Sequence, residues 1–170
     1  RNEAAHIAYA LRSVRAALPN AEIIVVDGNS TDDSVAAAQA CGVRTLVAGA
    51  GQAGRGRQCN LGAQVASGEL LLFLHADCVL AHNAELVLQR VFSDAATQTG
   101  KFSVRFEHPA WRYRVMERVC RADSLLSSFG DQGIAVRAGF FNKHALMPDF
   151  ALFEDVEFFR RSRKHTRLKR

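Results

Sequence analysis

The sequence predicts an α/β fold in which helices flank a central, mostly parallel sheet. Short apolar runs typical of buried strands alternate along the chain with segments of helical periodicity. Of its 170 residues, 48% are hydrophobic and 23% are charged, which suits an ordinary soluble domain with one buried core. We therefore expect a single domain over residues 1–170.

Apolar spacing and capping residues predict the first elements. Four residues share one face of a helix predicted over residues 4–18, namely Ile7, Leu11, Val14 and Leu18. Residues 21–27, "AEIIVVD", are typical of a buried strand. An alanine-rich helix follows, with Ser30 or Thr31 as its expected N-cap and Gly42 as its end.

The same signals predict the rest of the chain. A helix follows a glycine-rich loop, strands are expected at 43–48, 69–75, 100–106 and 133–137, and further helices at 84–92, 109–128 and 155–165. No repeat or long linker interrupts the alternation, which supports one layered domain.

Two predicted strands end in a carboxylate. Asp27 ends "IIVVD", and Asp77 follows "LLLFLHA", whose unbroken apolar run suits a central strand covered on both faces. Ligands of open parallel sheets bind at the carboxyl ends of the strands, so the two acids would share a crevice for a polar ligand. An Asp that merely caps a turn is the alternative at each position.

The glycine-rich loop permits two interpretations. Residues Gly49–Gly54, "GAGQAG", match the G-x-G-x-x-G pattern of NAD- or FAD-binding oxidoreductases, and Asp77 follows the next strand. However, a complete helix–strand–helix precedes the glycines, and Arg55, Gly56 and Arg57 form a poor helix start. We favour a mobile loop whose amides and guanidinium groups approach a diphosphate, with a plain surface loop as the alternative.

Composition and charge restrict the partners and the compartment. The four cysteines are scattered without metal spacing, which favours free thiols in a reducing cytoplasm. The net charge of +5 is concentrated in residues 160–170, but nothing there resembles a nucleic-acid-binding motif. We favour a solvated helix end for this basic segment, and peripheral membrane contact through it remains an alternative.

Five segments together resemble a known family. The segments "RNEA", "VVDGNSTDDS", "GRGRQCNLGA", "LLFLHAD" and "FEDVEFFRR" occur in the order and spacing of glycosyltransferase family 2. This resemblance implies an inverting enzyme with the single-domain, A-type nucleotide-sugar-binding fold and its Rossmann-like nucleotide-binding half. "GKFSVRF" and "FGDQGIAVR" resemble the arsenosugar-biosynthesis-type branch of that family.

The resemblance assigns a donor side and a metal. It implies that Glu3 and Asp27 bind the base and ribose of a nucleoside diphosphate sugar and that Arg57 lies along the diphosphate. Asp77 would be the last acid of a D-x-D motif and would bind both the donor and a divalent cation, Mn²⁺ or Mg²⁺. His75 replaces the first acid of the motif. It is either a second metal ligand or, in the interpretation we favour, a hydrogen-bonded core histidine.

The resemblance also assigns the second half of the reaction. Asp155 is the expected base that takes the proton of the acceptor hydroxyl, with Glu154 beside it as a substrate-binding residue. Asp131, in "GDQ", would shape the sugar or acceptor pocket or form a turn. Acids that only complement a helix N-terminus are the alternative for Glu154, Asp155 and Glu157.

We therefore expect a cytoplasmic, metal-dependent inverting glycosyltransferase that moves a sugar from a nucleoside diphosphate sugar to the hydroxyl of a small-molecule or lipid-linked acceptor. By the resemblance, the first strand of the family would precede Arg1 and a C-terminal extension would follow residue 170. The alternatives are an oxidoreductase domain built on Gly49–Gly54 and a catalytically silent nucleotide-sugar-binding module.

Overall fold

The structure is a computed structural model that describes residues 1–49, 51, 54–120, 132–144, 146–150, 153–166 and 168–169. Its helices are α1 (Ile7–Ala17), α2 (Ser34–Ala40), α3 (Arg55–Val65), α4 (Ala84–Phe92), α5 (Trp111–Cys120), α6 (Ala138–His144) and α7 (Glu154–Ser162). Its strands are β1 (Ile24–Asp27), β2 (Arg44–Val47), β3 (Leu70–Phe73), β4 (Thr99–Lys101), β5 (Ile134–Arg137) and β6 (Leu168–Lys169). The predicted α/β class is confirmed.

The strands form two described sheets. In the first, β1 pairs in parallel with β2, and Asp27 lies opposite Val47. In the second, the order is β3-β5-β4-β6; β5 is antiparallel to β3 and β4, and β4 is parallel to β6. The described sheets are therefore mixed rather than mostly parallel. The alternation of strands and helices did not reveal the reversed direction of β5, because pairing direction depends on contacts remote in sequence.

Strand β3 is covered on both faces, as its unbroken apolar run predicts. Leu71 and Phe73 belong to a core cluster that includes Phe141 and Phe158, whereas Leu72 packs in a second cluster around Ala17, Leu80 and Ala84. The alternation follows from the two-residue period of a strand. The carboxyl end of β3 is thereby held between two layers of helices.

Helix α1 buries the face that its apolar spacing predicts. Ile7 and Leu11 pack with Ala38 of α2 and with Val25 of β1. Farther along the helix, Val14 and Leu18 pack against the cluster around Leu80. Helix α1 thus bridges the parallel pair and the segment that follows β3.

Helix α2 begins later than predicted. Its N-cap is Asp33 rather than Ser30 or Thr31, because the Ser30 side chain is hydrogen-bonded to Asp27. Gly42 ends the helix as expected, with a φ of 68° that glycine adopts without a Cβ clash.

Other predicted bounds differ to varying degrees. Helix α4 matches the prediction, whereas α6 and β6 were not predicted. The second half of the helix predicted at residues 109–128 lies outside the described residues.

All four cysteines are free thiols. Within the described part of the chain, no helix has the length and apolarity needed to cross a membrane.

Candidate functional site

The carboxyl end of β1 holds Asp27 in a tight turn. Asp27 is buried, and its carboxylate accepts hydrogen bonds from the Ser30 amide at 2.8 Å and the Ser30 hydroxyl at 2.5 Å. Asn29 has a φ of 63°, in the left-handed region that asparagine tolerates better than most residues. Asp27 therefore both shapes this turn and lies at the end of its strand.

The segment that contains Glu3 is bound to the same turn. The Glu3 amide donates to Ser34 Oγ at 2.7 Å, and the Ala4 amide donates to Asp32 Oδ2 at 3.1 Å. The hydrogen bond from the Ser34 side chain lowers the pKa of Asp32. Glu3 is half-buried beside the turn that Asp27 organises.

Arg57 lies in the first turn of helix α3, not in a loop. Gln58 Nε2 donates to the carbonyl oxygen of Val26 at 2.7 Å, which fixes this turn beside the end of β1. The exposed Arg57 guanidinium donates to the carbonyl oxygen of Gly51 and to Asp149. These contacts order the start of α3, where weak local propensity predicted a loop instead of the first helical turn.

The Arg57–Asp149 pair changes both pKa values. The hydrogen bond from Arg57 lowers the pKa of Asp149, and the same bond raises the pKa of Arg57. Both side chains are exposed, Arg57 by 42% and Asp149 by 60% of the side-chain surface. An exposed pair of this kind contributes little to stability, so Arg57 can exchange Asp149 for another anion at small cost.

Two further contacts join α3 to the segment before α7. The Asn60 side chain donates to the carbonyl oxygen of Met147 at 2.8 Å and accepts from the Met147 amide at 2.9 Å. One turn earlier, a Cβ added to Gly56 would lie 2.2 Å from the carbonyl oxygen of Pro148. Only glycine allows this approach of the two backbones.

The start of α7 carries two buried acids. Glu154 is 4% exposed and Asp155 is 8% exposed. Arg55 Nε lies 2.9 Å from Glu154 Oε1, while Glu154 Oε2 is buried without a hydrogen-bond partner in the described structure. Asp155 Oδ1 accepts from the Val156 amide at 2.7 Å.

Two neighbours of Glu154 are unusual: the Cys59 thiol and the backbone of Phe153. Burial, followed by the nearby Glu154 carboxylate, raises the pKa of the Cys59 thiol to about 12, so Cys59 is an inert neutral thiol. Phe153, which precedes Glu154, has a φ of 64°, an uncommon conformation for a bulky residue. Strained backbone of this kind is concentrated at functional sites.

Asp77 lies in a different environment after β3. It is exposed, and the Cys78 thiol donates weakly to its Oδ1 at 3.7 Å. The adjacent Ala76 packs against the cluster of Ile7 and Ala38, which fixes the segment beside α1. His75 is half-buried, and both interpretations of it, a metal ligand or a hydrogen-bonded core histidine, stay predictions.

The predicted residues are brought together in part. The described contacts connect Glu3, Asp27 and Arg57 through the end of β1, and connect α3 to Glu154 at the start of α7. No group of three or more possible metal-ligating side chains occurs within the ranges described here. Asp131 lies outside the described residues, so its assignment remains a prediction.

Sequence reasoning missed the residues that connect these elements. Arg55, Gly56, Asn60 and Asp149 join α3 to the second half of the chain. The motif "GRGRQCN" contained three of them, but their partners Met147, Pro148 and Glu154 follow 87 to 99 residues later. No local pattern identifies such contacts.

Known proteins share both the sequence pattern and the fold. The profile of glycosyl transferase family 2 matches residues 1–156. The chain therefore belongs to glycosyl transferase family 2. No curated protein sequence matches it significantly.

Solved structures share the fold of this chain. A mannosyltransferase from Pyrobaculum calidifontis, solved with GDP-mannose and Mn²⁺, is 18% identical with a TM-score of 0.74; the match covers 99% of this chain and 51% of that one. Staphylococcus aureus TarS is 17% identical with a TM-score of 0.75, over 98% of this chain and 54% of TarS.

A third similar structure holds both a nucleotide and phosphoglyceric acid. Glucosyl-3-phosphoglycerate synthase from Mycobacterium tuberculosis, solved with Mn²⁺, UDP and phosphoglyceric acid, is 18% identical with a TM-score of 0.74. The match covers 99% of this chain and 64% of that enzyme. The chain thus spans about half to two thirds of the length of these proteins, and the likeness identifies an A-type glycosyltransferase fold.

Proposed function

We propose that this chain is the catalytic core of an inverting glycosyltransferase that moves a sugar from a nucleoside diphosphate sugar to an acceptor hydroxyl. One observation carries the proposal: the first turn of α3 contacts the end of β1 through Gln58 and the start of α7 through Arg55. The donor-side residues and the expected base therefore belong to one connected set of elements. Family membership supports the same reaction.

On the donor side, Glu3 and Asp27 would bind the nucleoside and Arg57 the diphosphate. Asp27 accepts two hydrogen bonds from Ser30, and a carboxylate has about four lone-pair sites, so it retains acceptor capacity for a ribose hydroxyl. Arg57 can release the exposed Asp149 and form two parallel hydrogen bonds to phosphate oxygens.

A divalent cation fits the exposed Asp77. Mg²⁺ and similar ions are commonly held by one or two carboxylates together with substrate phosphates, so a group of three protein ligands is not required. Asp77 would be one ligand, and His75 a second if Mn²⁺ is the ion, because imidazole suits Mn²⁺ better than Mg²⁺. Bound there, the cation would neutralise charge on the leaving diphosphate. Similar enzymes were solved with Mn²⁺.

On the acceptor side, we assign Asp155 as the base. Inversion requires the acceptor hydroxyl to attack the anomeric carbon opposite the leaving diphosphate while a carboxylate takes its proton. Asp155 is buried and oriented by the Val156 amide, as a positioned base should be. Glu154, held by Arg55, retains one buried oxygen that would accept a substrate hydroxyl. Asp131 remains assigned to the sugar or acceptor pocket.

The proposed acceptor is a small-molecule or lipid-linked hydroxyl compound. The free cysteines agree with the proposed cytoplasmic location. The oxidoreductase alternative on Gly49–Gly54 is disfavoured because the family profile covers that segment. A silent nucleotide-sugar-binding module remains the second candidate, since His75 replaces an acid of the D-x-D motif.

Two measurements test the proposal. Calorimetric titration with UDP, GDP and NADH, each with and without Mn²⁺, should give metal-dependent binding of a nucleoside diphosphate. Tight, metal-independent NADH binding would instead support the oxidoreductase. Release of nucleoside diphosphate from a panel of donor sugars separates the enzyme from the silent module, which would bind donor without turnover.

A further inference from the structure

Helix α5 presents an unusual outer face. Four large apolar side chains on it are exposed: Trp111 by 77%, Val115 by 43%, Met116 by 49% and Val119 by 51%. Trp111, Val115 and Val119 follow one another at intervals of four residues, so they form a continuous stripe along the helix. We call this stripe, together with Met116, the α5 apolar face.

The opposite side of α5 anchors the helix to the protein. Glu117 Oε1 accepts from the Phe106 amide at 2.9 Å, and the Tyr113 ring packs 4.4 Å from that of His108. Cys120 is buried, and its carbonyl oxygen accepts from Gln132 Nε2 at 3.1 Å. The orientation of the α5 apolar face toward solvent is therefore set by contacts on the other side.

The exposed charged side chains of helix α5 itself are all arginines. Arg112, Arg114 and Arg118 are exposed, while the acid of the helix, Glu117, is turned toward the protein. At 3.6 residues per turn, Arg114 and Arg118 lie along one edge of the stripe, and Arg112 lies on its other side, between the stripe and Met116. Long arginine side chains in this position can keep their guanidinium groups at a polar boundary while apolar neighbours enter a nonpolar phase.

We propose that the α5 apolar face docks on the surface of an anionic lipid bilayer. An apolar stripe that carries tryptophan and is bordered by arginines matches an interfacial helix, with the stripe in the acyl boundary and the guanidinium groups at lipid phosphates. The proposal moves the membrane contact away from the basic C-terminal segment. There, Arg160 and Arg161 are already paired with Glu157.

Trp111 makes the proposal directly measurable, because it is the only tryptophan of the chain. With vesicles of equal phosphatidylcholine and phosphatidylglycerol, its fluorescence should shift to shorter wavelength, and added salt should weaken the effect. Vesicles of phosphatidylcholine alone should cause little change. No shift with anionic vesicles would overturn the proposal, as would a blue, vesicle-insensitive emission that depends on protein concentration, which would indicate a second copy on this face.

Two variants that remove the same charge distinguish binding through the α5 apolar face from attraction by the net positive charge of the protein. The triple variant Arg112→Gln, Arg114→Gln, Arg118→Gln keeps Trp111 and should weaken vesicle binding by on the order of 100-fold. The control Arg12→Gln, Arg90→Gln, Lys143→Gln removes equal charge from exposed positions elsewhere and should bind nearly as the parent does. Equal losses in both variants would reduce the effect to net charge and overturn the proposal.

A third variant tests the apolar contribution and guards against misfolding. Val115→Asn with Val119→Asn leaves every arginine in place and should lose most of the Trp111 shift. Circular dichroism and metal-dependent UDP binding in lipid-free buffer should match the parent for all variants. An unchanged shift in this double variant would show that the α5 apolar face does not enter the lipid, and would overturn the proposal even if the transferase assignment stands.

Discussion

The acids at the start of α7 and the acid after β3 have opposite surroundings. Glu154 and Asp155 are buried, and protein groups hold their carboxylates through Arg55 and the Val156 amide. Asp77 is exposed and contacts the weakly polar Cys78 thiol. The chain thus contains one pair of acids already fixed in position and one acid accessible to a ligand.

This difference agrees with the roles proposed for them. A base must be oriented before the acceptor arrives, because misplacement by about 1 Å can cost on the order of 100-fold in rate. A residue that binds a cation together with a diphosphate needs accessible oxygens instead. The comparison therefore predicts that changes near α7 affect transfer or folding, whereas changes near β3 affect donor binding.

The largest expected effect is that of Asp155→Asn. The amide keeps the size of the side chain but cannot take a proton, so transfer should fall by on the order of 10² to 10⁴ with donor affinity nearly unchanged. Single-turnover rates measure the transfer step, and UDP titration measures the donor affinity. A loss of donor affinity would instead move Asp155 into the donor site.

Glu154→Gln is the matched control for that variant, because Arg55 already occupies one oxygen of Glu154. It should retain more transfer than Asp155→Asn does. If Glu154→Gln is the inactive variant and Asp155→Asn is active, the base has been assigned one residue out of register.

Gly56→Ala tests the close contact that connects α3 to the α7 side. The added Cβ would lie 2.2 Å from the carbonyl oxygen of Pro148, and overpacking of this kind costs about 1–3 kcal/mol. Denaturant unfolding measures the loss. Gly139→Ala in α6 is the control, because a Cβ there meets no atom within 4 Å and the stability should hold or rise. Equal stability of the two variants would contradict the role of Gly56 as the contact point.

Asp77→Asn tests the exposed side. If Asp77 holds the cation, the variant should lose about 10- to 100-fold in metal-stimulated donor binding, while its unfolding free energy stays within about 0.5 kcal/mol of the parent's. Titration with UDP in the presence and absence of Mn²⁺ measures the first quantity, and denaturant unfolding the second. An unchanged metal requirement would remove Asp77 from the metal site.

His75→Asp should change the choice of cation rather than the total affinity. It creates a second carboxylate at the first position of the motif, so the ratio of donor affinities with Mg²⁺ and Mn²⁺ should shift a few-fold toward Mg²⁺. The same titration, repeated with each ion, gives the ratio. A constant ratio would mean that the imidazole does not contact the ion.

Asp149→Asn should produce the smallest effect, which is a gain in donor affinity. Removing the carboxylate frees Arg57 for the diphosphate, and an exposed ion pair is worth up to about 1 kcal/mol, so donor affinity should rise by about fivefold at most. UDP titration detects the change. Weaker binding would mean that Asp149 helps to order the donor side rather than competing for Arg57.

Sequence periodicity predicted the elements whose signals are local. Helix α4 matches its predicted bounds, and β3 is covered on both faces as its apolar run requires. Helix α6 was missed because it follows β5 directly, without the turn residues that normally separate a strand from a helix. The position of the α2 N-cap was wrong because Ser30 is bound by Asp27, a contact that competes with capping.

The site was predictable to the extent that its residues lie in contiguous motifs. Asp27, Asp77 and Asp155 could be named as candidates from strand ends and the family resemblance. The pairs Arg57–Asp149 and Arg55–Glu154 could not, because each joins positions more than ninety residues apart. Folding, rather than any motif, brings their charges together.

The two hydrogen bonds of Asn60 require a side chain that has both a donor and an acceptor. The amide donates through nitrogen to the Met147 carbonyl and accepts through oxygen from the Met147 amide. Aspartate has almost the same shape but no donor, so deamidation would set a carboxylate against the Met147 carbonyl oxygen. Spontaneous deamidation of Asn60 would therefore weaken the attachment of the segment before α7 to helix α3, without any change in the encoded sequence.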